Sequence, residues 1–317
     1  MVFKGRMLKV LFVSSGRMGD VGYVVRNQGE SLKRHGIDLN YLIISPGLSG
    51  YARAVRQIRR EVRAGTYDLV HAHYSLSAFA ASLAGRFPLV VSLMGSDAWQ
   101  GIFVRLMIRF LSAVRWKAVI VKTREMKRRL RLNRAHLIPN GVDTERFTTG
   151  NRDEARQRLG ISLTRKVIVF IAGRNRPEKN LPLAQEVVAI LNDDSVDLYH
   201  VHDIENSTIP CYLNAADLLL LTSDREGGVN VIKEAMACNC PFVATDVGDI
   251  REIAGETEGC FITGGNSADL AEAVNQILKT GARSDGRQRI FELGLDSASV
   301  AARITDLYKS ILQGDYR

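Results

Sequence analysis

Residues 218–245 read LLLLTSDREGGVNVIKEAMACNCPFVAT. Leu218–Leu221 is an unbroken apolar run, as expected of a strand buried on both faces. Gly227 and Gly228 then turn the chain, Asn230–Met236 contains good helix formers, and Phe242–Ala244 is apolar again. Strand, glycine turn, helix and strand in so short a span make a parallel βαβ unit. In open parallel sheets ligands bind outside the carboxyl ends of the strands, so the loop between Leu221 and Asn230 is where chemistry is expected.

The same alternation extends in both directions. Upstream, buried strands are expected at Val10–Val13, Leu39–Ile44, Leu69–His71, Leu89–Leu93, Ala118–Val121 and His136–Pro139. Helical spacing occupies Val24–His35, Tyr51–Ala64, Ser77–Ala84 and Ile102–Ala113 between them. A polar stretch, Asp143–Gly160, interrupts the pattern, which restarts with strands at Val167–Ile171 and Leu198–Val201. Helices follow at Pro182–Leu191, Ala268–Lys279 and Ser297–Leu312. The reading is α/β, with two successive doubly wound domains joined near residue 145. A chain of 317 residues has the length for two such cores.

Composition narrows the class. With 46% apolar and 24% charged residues the chain is neither disordered nor fibrous, and no apolar run approaches the ~20 residues that span a bilayer. The basic start followed by Val10–Val13 is too short for a signal peptide and lacks a small-residue cleavage site, so a cytoplasmic protein is expected. Cys211, Cys238, Cys240 and Cys260 show no zinc-site spacing and read as reduced thiols. The formal charge of +9 implies an anionic partner.

Candidate site residues fall after strands. Gly16, Gly19 and Gly22 follow the first strand and either offer amides to a ligand or simply form a strand–helix turn. They do not form the dinucleotide fingerprint. In Asp68-Leu-Val-His71-Ala-His73, His71 is expected to pack and His73 to reach a ligand hydroxyl; no nearby carboxylate completes a metal pair. Asp97, after Leu89–Leu93, is either a ligand contact or a helix cap. Arg174 and Lys179 follow Val167–Ile171, where fixed cations can stabilise a departing diphosphate in place of a metal ion. Glu226 precedes a helix and Glu234 lies about two turns further on, so the two carboxylates can accept hydroxyls from different parts of one ligand. A capping acid plus a surface glutamate is the plain alternative.

Together these residues resemble the retaining glycosyltransferases of family GT4. The likeness covers nearly the whole chain and is carried by Ser223…Glu226-Gly227…Glu234-Ala235…Pro241, Pro139-Asn140-Gly141-Val142-Asp143…Phe147, Gly173-Arg174…Lys179 and Asn214-Ala215-Ala216-Asp217. It implies the GT-B fold, with two Rossmann-like doubly wound domains facing across a cleft. An acceptor-binding domain would span 1–147 and a nucleotide-sugar-binding domain 148–296. The helix in 297–317 would pack back on the first domain. By resemblance, Glu234 holds the donor ribose. Glu226, with the Gly227, Gly228, Val229 and Asn230 amides, holds the sugar. Arg174 and Lys179 bind the diphosphate, and His73 sits near the reaction centre. Gly16, Gly19 and Asp97 would also contact the donor. The family requires no metal and no cofactor beyond the nucleotide-sugar co-substrate, and transfers with retention. Met94 stands where many relatives carry His, Gly227-Gly228-Val229 replaces the usual Gly-Phe-Gly, and the stretch from Lys179 to Asp217 is short. The closest likeness is to compact enzymes of cell-surface polysaccharide assembly.

From Arg105 to Arg134 cations dominate, interleaved with Phe103, Met107, Phe110 and Trp116, and Arg53, Arg56, Arg60 and Arg63 form a second cationic stripe. This suits an anionic inner-membrane surface bearing a carbohydrate or lipid-diphosphate acceptor, and equally suits solvated helix faces. No nucleic-acid-binding module is recognisable. Other readings are a GT-B sugar-nucleotide epimerase and a degenerate, non-catalytic binding module.

Overall fold

The computed structural model describes residues 6–17 and 20–314. The chain divides into two compact units, Met1–Gly141 with Ser297–Arg317, and Val142–Asp296. The first crossing falls at Gly141–Val142. There the Val142 amide bonds to the Leu295 carbonyl at 2.9 Å, and Arg287 holds the Thr144 and Phe147 carbonyls, so the stretch after Gly141 packs with the second unit.

In the first unit the strands are β1 (Leu8–Arg17), β2 (Asp20–Val21), β3 (Ile37–Ile44), β4 (Leu69–His73), β5 (Leu89–Ser92), β6 (Ala118–Val121) and β7 (His136–Leu137). The parallel order is β3-β1-β4-β5-β6-β7, with the switch in direction between β1 and β4. Alternation sorts β1 between the two faces of the sheet. Leu11 and Val13 join one apolar cluster with Ile58, Ala81 and Ile108. Val10 and Phe12 join the other, with Leu32, Ile304 and Tyr308. That second face is closed by the helix Tyr23–Arg34 and by the last helix, Ser297–Gln313.

The second unit has β8 (Lys166–Ile171), β9 (Val196–Val201), β10 (Leu218–Leu221), β11 (Phe242–Thr245) and β12 (Cys260–Thr263), in the parallel order β12-β11-β10-β8-β9. Its switch point lies between β8 and β10. Between β9 and β10 run only short helical pieces, Asn206–Thr208 and Ile209–Ala215.

The polar stretch Asp143–Gly160 contains a helix, Arg152–Leu159, that the apolar pattern did not announce. Its N-terminus is capped by the Asn151 side chain, which accepts from the Asp153 and Glu154 amides, and Gly160 ends it in the left-handed region at φ 67°. The four cysteines are free, and burial raises the thiol pKa of each.

Candidate active site

The second unit gathers the cations and carboxylates at its switch point. After β8 the chain passes Arg174 and a 3-10 turn, Pro177–Lys179, to Asn180. Asn180 takes φ 54° and caps the helix Leu181–Leu191 with its side chain. After β10 comes the loop Thr222–Val229. The two loops are stitched together: the Thr222 hydroxyl donates to the Lys179 and Asn180 carbonyls at 3.1 and 2.9 Å, and the Asp224 amide to the Glu178 carbonyl at 2.9 Å. Asn180 Nδ2 also donates to Asp224 Oδ1 at 3.0 Å. This lacing brings the Lys179 ammonium onto Glu226 Oε1, an oxygen that also accepts from the Ser223 hydroxyl at 2.8 Å.

Glu234 is buried on the helix Asn230–Ala237. Burial pushes its carboxyl up to about 7, opposed by the nearby charges of Lys233, Arg146 and Lys179. Lys179 thus serves both acids. Helical spacing does not: Glu226 lies in the loop, ahead of a helix that starts only at Asn230, because Gly227 and Gly228 (φ 152°) break the backbone before it. The expected two-turn offset is replaced by a shared cation.

The remaining expectations divide. Arg174 does not join Lys179; it is exposed and reaches to the end of β9, where Nε lies 2.8 Å from Asp203 Oδ2 and 3.1 Å from His202 Nδ1. Val229 is buried, and its backbone bonds to the Asp249 carboxyl, so its amide is already spoken for by the protein. Gly227 and Gly228 are half-buried on the loop, and Asn230, half-buried at the start of the helix, donates its amide to the Gly228 carbonyl at 3.2 Å.

In the first unit, the structure sets His73 in the interior and not on a loop. β4 runs through His73, two positions after His71, so both rings fall on one face and stack with centroids 4.4 Å apart. His73 Nε2 meets Gln28 Oε1 at 3.3 Å, while His71 joins Tyr308 Oη at 2.5 Å and Ser92 Oγ at 2.8 Å. Burial and the adjacent Lys122 hold the His73 pKa well below the ordinary value, so the ring is neutral. Asp97 is likewise buried: Oδ1 accepts from the Ser75 amide and hydroxyl, and Oδ2 from the Met94 amide at 2.7 Å. It holds the turn after β5 against the helix Ser75–Leu83. Gly16 belongs to β1 and pairs with Val21 of β2. A Cβ there would stand 2.2 Å from the Asp20 carbonyl oxygen, so the hairpin itself requires the glycine. Gly19 lies outside the described residues.

Two residues near the acids were missed in the sequence. Arg146 reads as part of a polar linker, and Lys233 as a solvated helix cation. Lys233 is in fact fully buried, with its pKa lowered by burial and raised in part by Asp249 and Glu234. Its one signal was an apolar neighbourhood, Val231, Ile232 and Ala235–Ala237.

Two doubly wound parallel sheets, one with acids and cations gathered at its switch point, form the GT-B class of architecture. The chain superposes over 97% of its length on all of sucrose-phosphate synthase from Thermosynechococcus elongatus (TM-score 0.80, 18% identity). It also superposes over 96% of its length on all of Anabaena Alr3699/HepE, solved with UDP and glucose (TM-score 0.75, 20% identity). Within that class the chain belongs to glycosyltransferase family 4. Residues 9–146 match the family model described as Glycosyltransferase Family 4, and residues 154–280 the one described as Glycosyl transferases group 1. It is 29% identical over 238 residues to TuaC of Bacillus subtilis, named as a teichuronic acid biosynthesis glycosyltransferase. That match takes in 66% of this chain and 61% of TuaC, so it spans less than two thirds of that relative.

Proposed function

We propose that this chain transfers a sugar from a nucleotide-diphosphate sugar to a carbohydrate or lipid-diphosphate acceptor, with retention of configuration and without a metal ion. The observation that carries the reading is the Lys179 ammonium held on Glu226 at the β8–β10 switch point, with its charge also felt by the buried Glu234. A cation acting on two acceptor groups suits a ligand that joins hydroxyl-rich parts through a diphosphate. Glu234 takes the ribose hydroxyls and Glu226 the sugar hydroxyls. The half-buried Gly227 and Gly228 contribute amides, and Lys179 turns to the phosphate when the ligand displaces its contact with Glu226.

In the transfer, the bond from the anomeric carbon to the β-phosphate oxygen breaks with its electron pair going to that oxygen. The acceptor hydroxyl oxygen bonds the same face of the carbon, and its proton passes to the departing phosphate. Lys179 stabilises the charge that grows there, and Arg174 joins it on leaving its contacts with Asp203 and His202. Set in the interior, His73 positions β4 in this reading and does not transfer a proton. The teichuronic acid biosynthesis in TuaC's name supports assembly of a cell-surface polymer, and the formal charge of +9 supports work beside an anionic membrane, on its cytoplasmic face.

The test measures turnover of UDP-, GDP- and ADP-sugars, with and without EDTA. One nucleotide should bind and turn over, EDTA should leave the rate unchanged, and Lys179→Ala should lower kcat/KM by roughly a hundredfold. Glu234→Ala should weaken donor binding by about tenfold or more. Full donor affinity and turnover in both variants would refute the assignment.

A further inference from the structure

The helix Ile102–Val114 is built the wrong way round for a solvated surface helix. Inward it offers Ile108, fully buried, with Val104 and Leu111 packed partly against the core. Outward it presents Ile102, Phe103, Leu106, Met107, Phe110 and Val114, with Phe103 77% and Phe110 61% exposed. At 100° per residue these outward side chains share an arc of about 140°. Arg105 and Arg109 lie along one edge of that arc. More apolar side chains face out than in, and contiguous exposed apolar surface marks an interaction site.

The second half of this helix borders a groove of about 1230 Å³. Leu106, Phe110 and Val114 form its apolar rim, and Arg109, Lys117, Arg131 and Arg134 also line it. Other cations nearby are committed to the fold. Arg115 donates to the Phe87 and Gly85 carbonyls, and Arg129 bonds to the Ala98 carbonyl and covers the Trp99 ring at 3.7 Å. Among the described residues, Arg109, Lys117, Arg131 and Arg134 have no such commitments. Lys117 and Ala135 directly precede β6 and β7, so the groove opens at the amino ends of the strands. It is therefore distinct from the carboxyl-end loops of this unit.

We infer that this helix is an interfacial element that lays its Phe103–Phe110 face into an anionic bilayer while the groove cations meet lipid phosphates. The inference rests on the membrane-borne acceptor proposed above and names the surface that holds the chain on that membrane. Apolar and cationic side chains in one strip match the two layers of a bilayer interface, acyl chains and phosphates. Ile102, Leu106 and Val114 would gain nothing from a nucleic acid. Among the described residues no helix is long and apolar enough to cross a membrane, so the contact is peripheral.

The experiment floats the full chain with vesicles of phosphatidylcholine alone or mixed with phosphatidylglycerol, with no nucleotide sugar present. Its outcome is therefore independent of the donor site. The wild type should float only with the anionic vesicles. Phe103→Ser with Phe110→Ser, and separately Lys117→Gln with Arg134→Gln, should weaken partitioning by roughly tenfold or more at unchanged thermal stability. Phe103→Trp gives a readout that needs no loss of binding: its emission should shift to the blue on anionic vesicles and be quenched by brominated acyl chains. Equal flotation of wild type and both variant pairs would overturn the inference. So would an unquenched Trp at 103 in vesicle-bound protein, or tighter binding to a single-stranded oligonucleotide than to anionic vesicles.

Discussion

Burial pushes the Glu234 carboxyl up to about 7, so in the empty protein it is largely protonated below neutrality and ionised above it. In the unfolded chain the same group ionises near 4.5. Between those values the folded state holds a proton that the unfolded state has released, so this group's contribution to stability is greatest below 4.5 and is lost as pH rises to about 7. Ligand binding runs the other way, because only the ionised carboxylate accepts from two hydroxyls. Affinity for a nucleotide sugar, whose diphosphate does not titrate in this window, should weaken about tenfold per pH unit below 7 and level off above it. Calorimetric titration from pH 5.5 to 8.5 checks this, and Glu234→Gln should flatten the profile; a wild-type profile already flat would sink the assignment. Glu226 and Lys179 were legible as polar residues in loops that follow apolar runs, and Glu234 by its spacing from Glu226. His73 was misplaced for a reason available beforehand: a strand alternates with period two, so a histidine two positions after a packing histidine packs as well. Lys233 was legible only through its apolar neighbours, since nothing in the sequence names the Asp249 beside which it is buried.

The helix Arg152–Leu159 is secured by one buried guanidinium more than by an apolar stripe. Arg156 donates to the Ala215, Ser162, Leu163 and Arg165 carbonyls, and Nη2 lies 2.9 Å from Asp217, whose Oδ2 also accepts from the Val167 amide at 2.6 Å. The cluster ties a helix, the start of β8 and the approach to β10 into one node. Arg156→Ala would leave those carbonyls without their donor and Asp217 with only Arg152 and the Val167 amide, which costs about 3 kcal/mol. For a unit of this size that lowers the melting temperature by roughly 10 °C. Arg156→Lys should recover little, because one ammonium cannot reach several carbonyls at once. Thermal unfolding followed by circular dichroism checks both variants, and a drop under about 2 °C for Arg156→Ala would refute the node. The same physics explains which elements the sequence disclosed. Strands buried on both faces, such as β10 and β11, announce themselves as apolar runs. The edge strand β12 is only half-buried, and the Arg152–Leu159 helix is held by polar bonds, so neither leaves a hydrophobic period.

Each sheet reverses its order of growth once, between β1 and β4 and between β8 and β10, and the second reversal is where Lys179 and Glu226 meet. The apolar runs and their restart near Val167 were enough to read this doubly wound plan. The partnership of the last helix was expected from the family resemblance alone, because no local pattern says which core an amphipathic helix will cover. Ser297–Gln313 belongs to the first unit. Val300, Ala301, Ile304, Leu307, Tyr308 and Ile311 lie in the cluster with Val10, Phe12 and Leu32, and Tyr308 also meets the buried His71. Removing residues from 297 onward would therefore damage the unit that begins the chain. Leaving a face that size open costs roughly 10 kcal/mol at 1.5–3 kcal/mol per large side chain, comparable with the whole stability of a domain. The second unit, continuous from Val142 to Asp296, loses nothing from its own core. A chain ending at Asp296 should lose the first unit's unfolding transition and become open to proteolysis before residue 141. Its remaining transition should still shift upward when the cognate nucleotide is added, by mass action on the folded form. Scanning calorimetry with limited proteolysis distinguishes the outcomes, and an intact, protease-resistant first unit in the shortened chain would overturn the assignment of its closing helix.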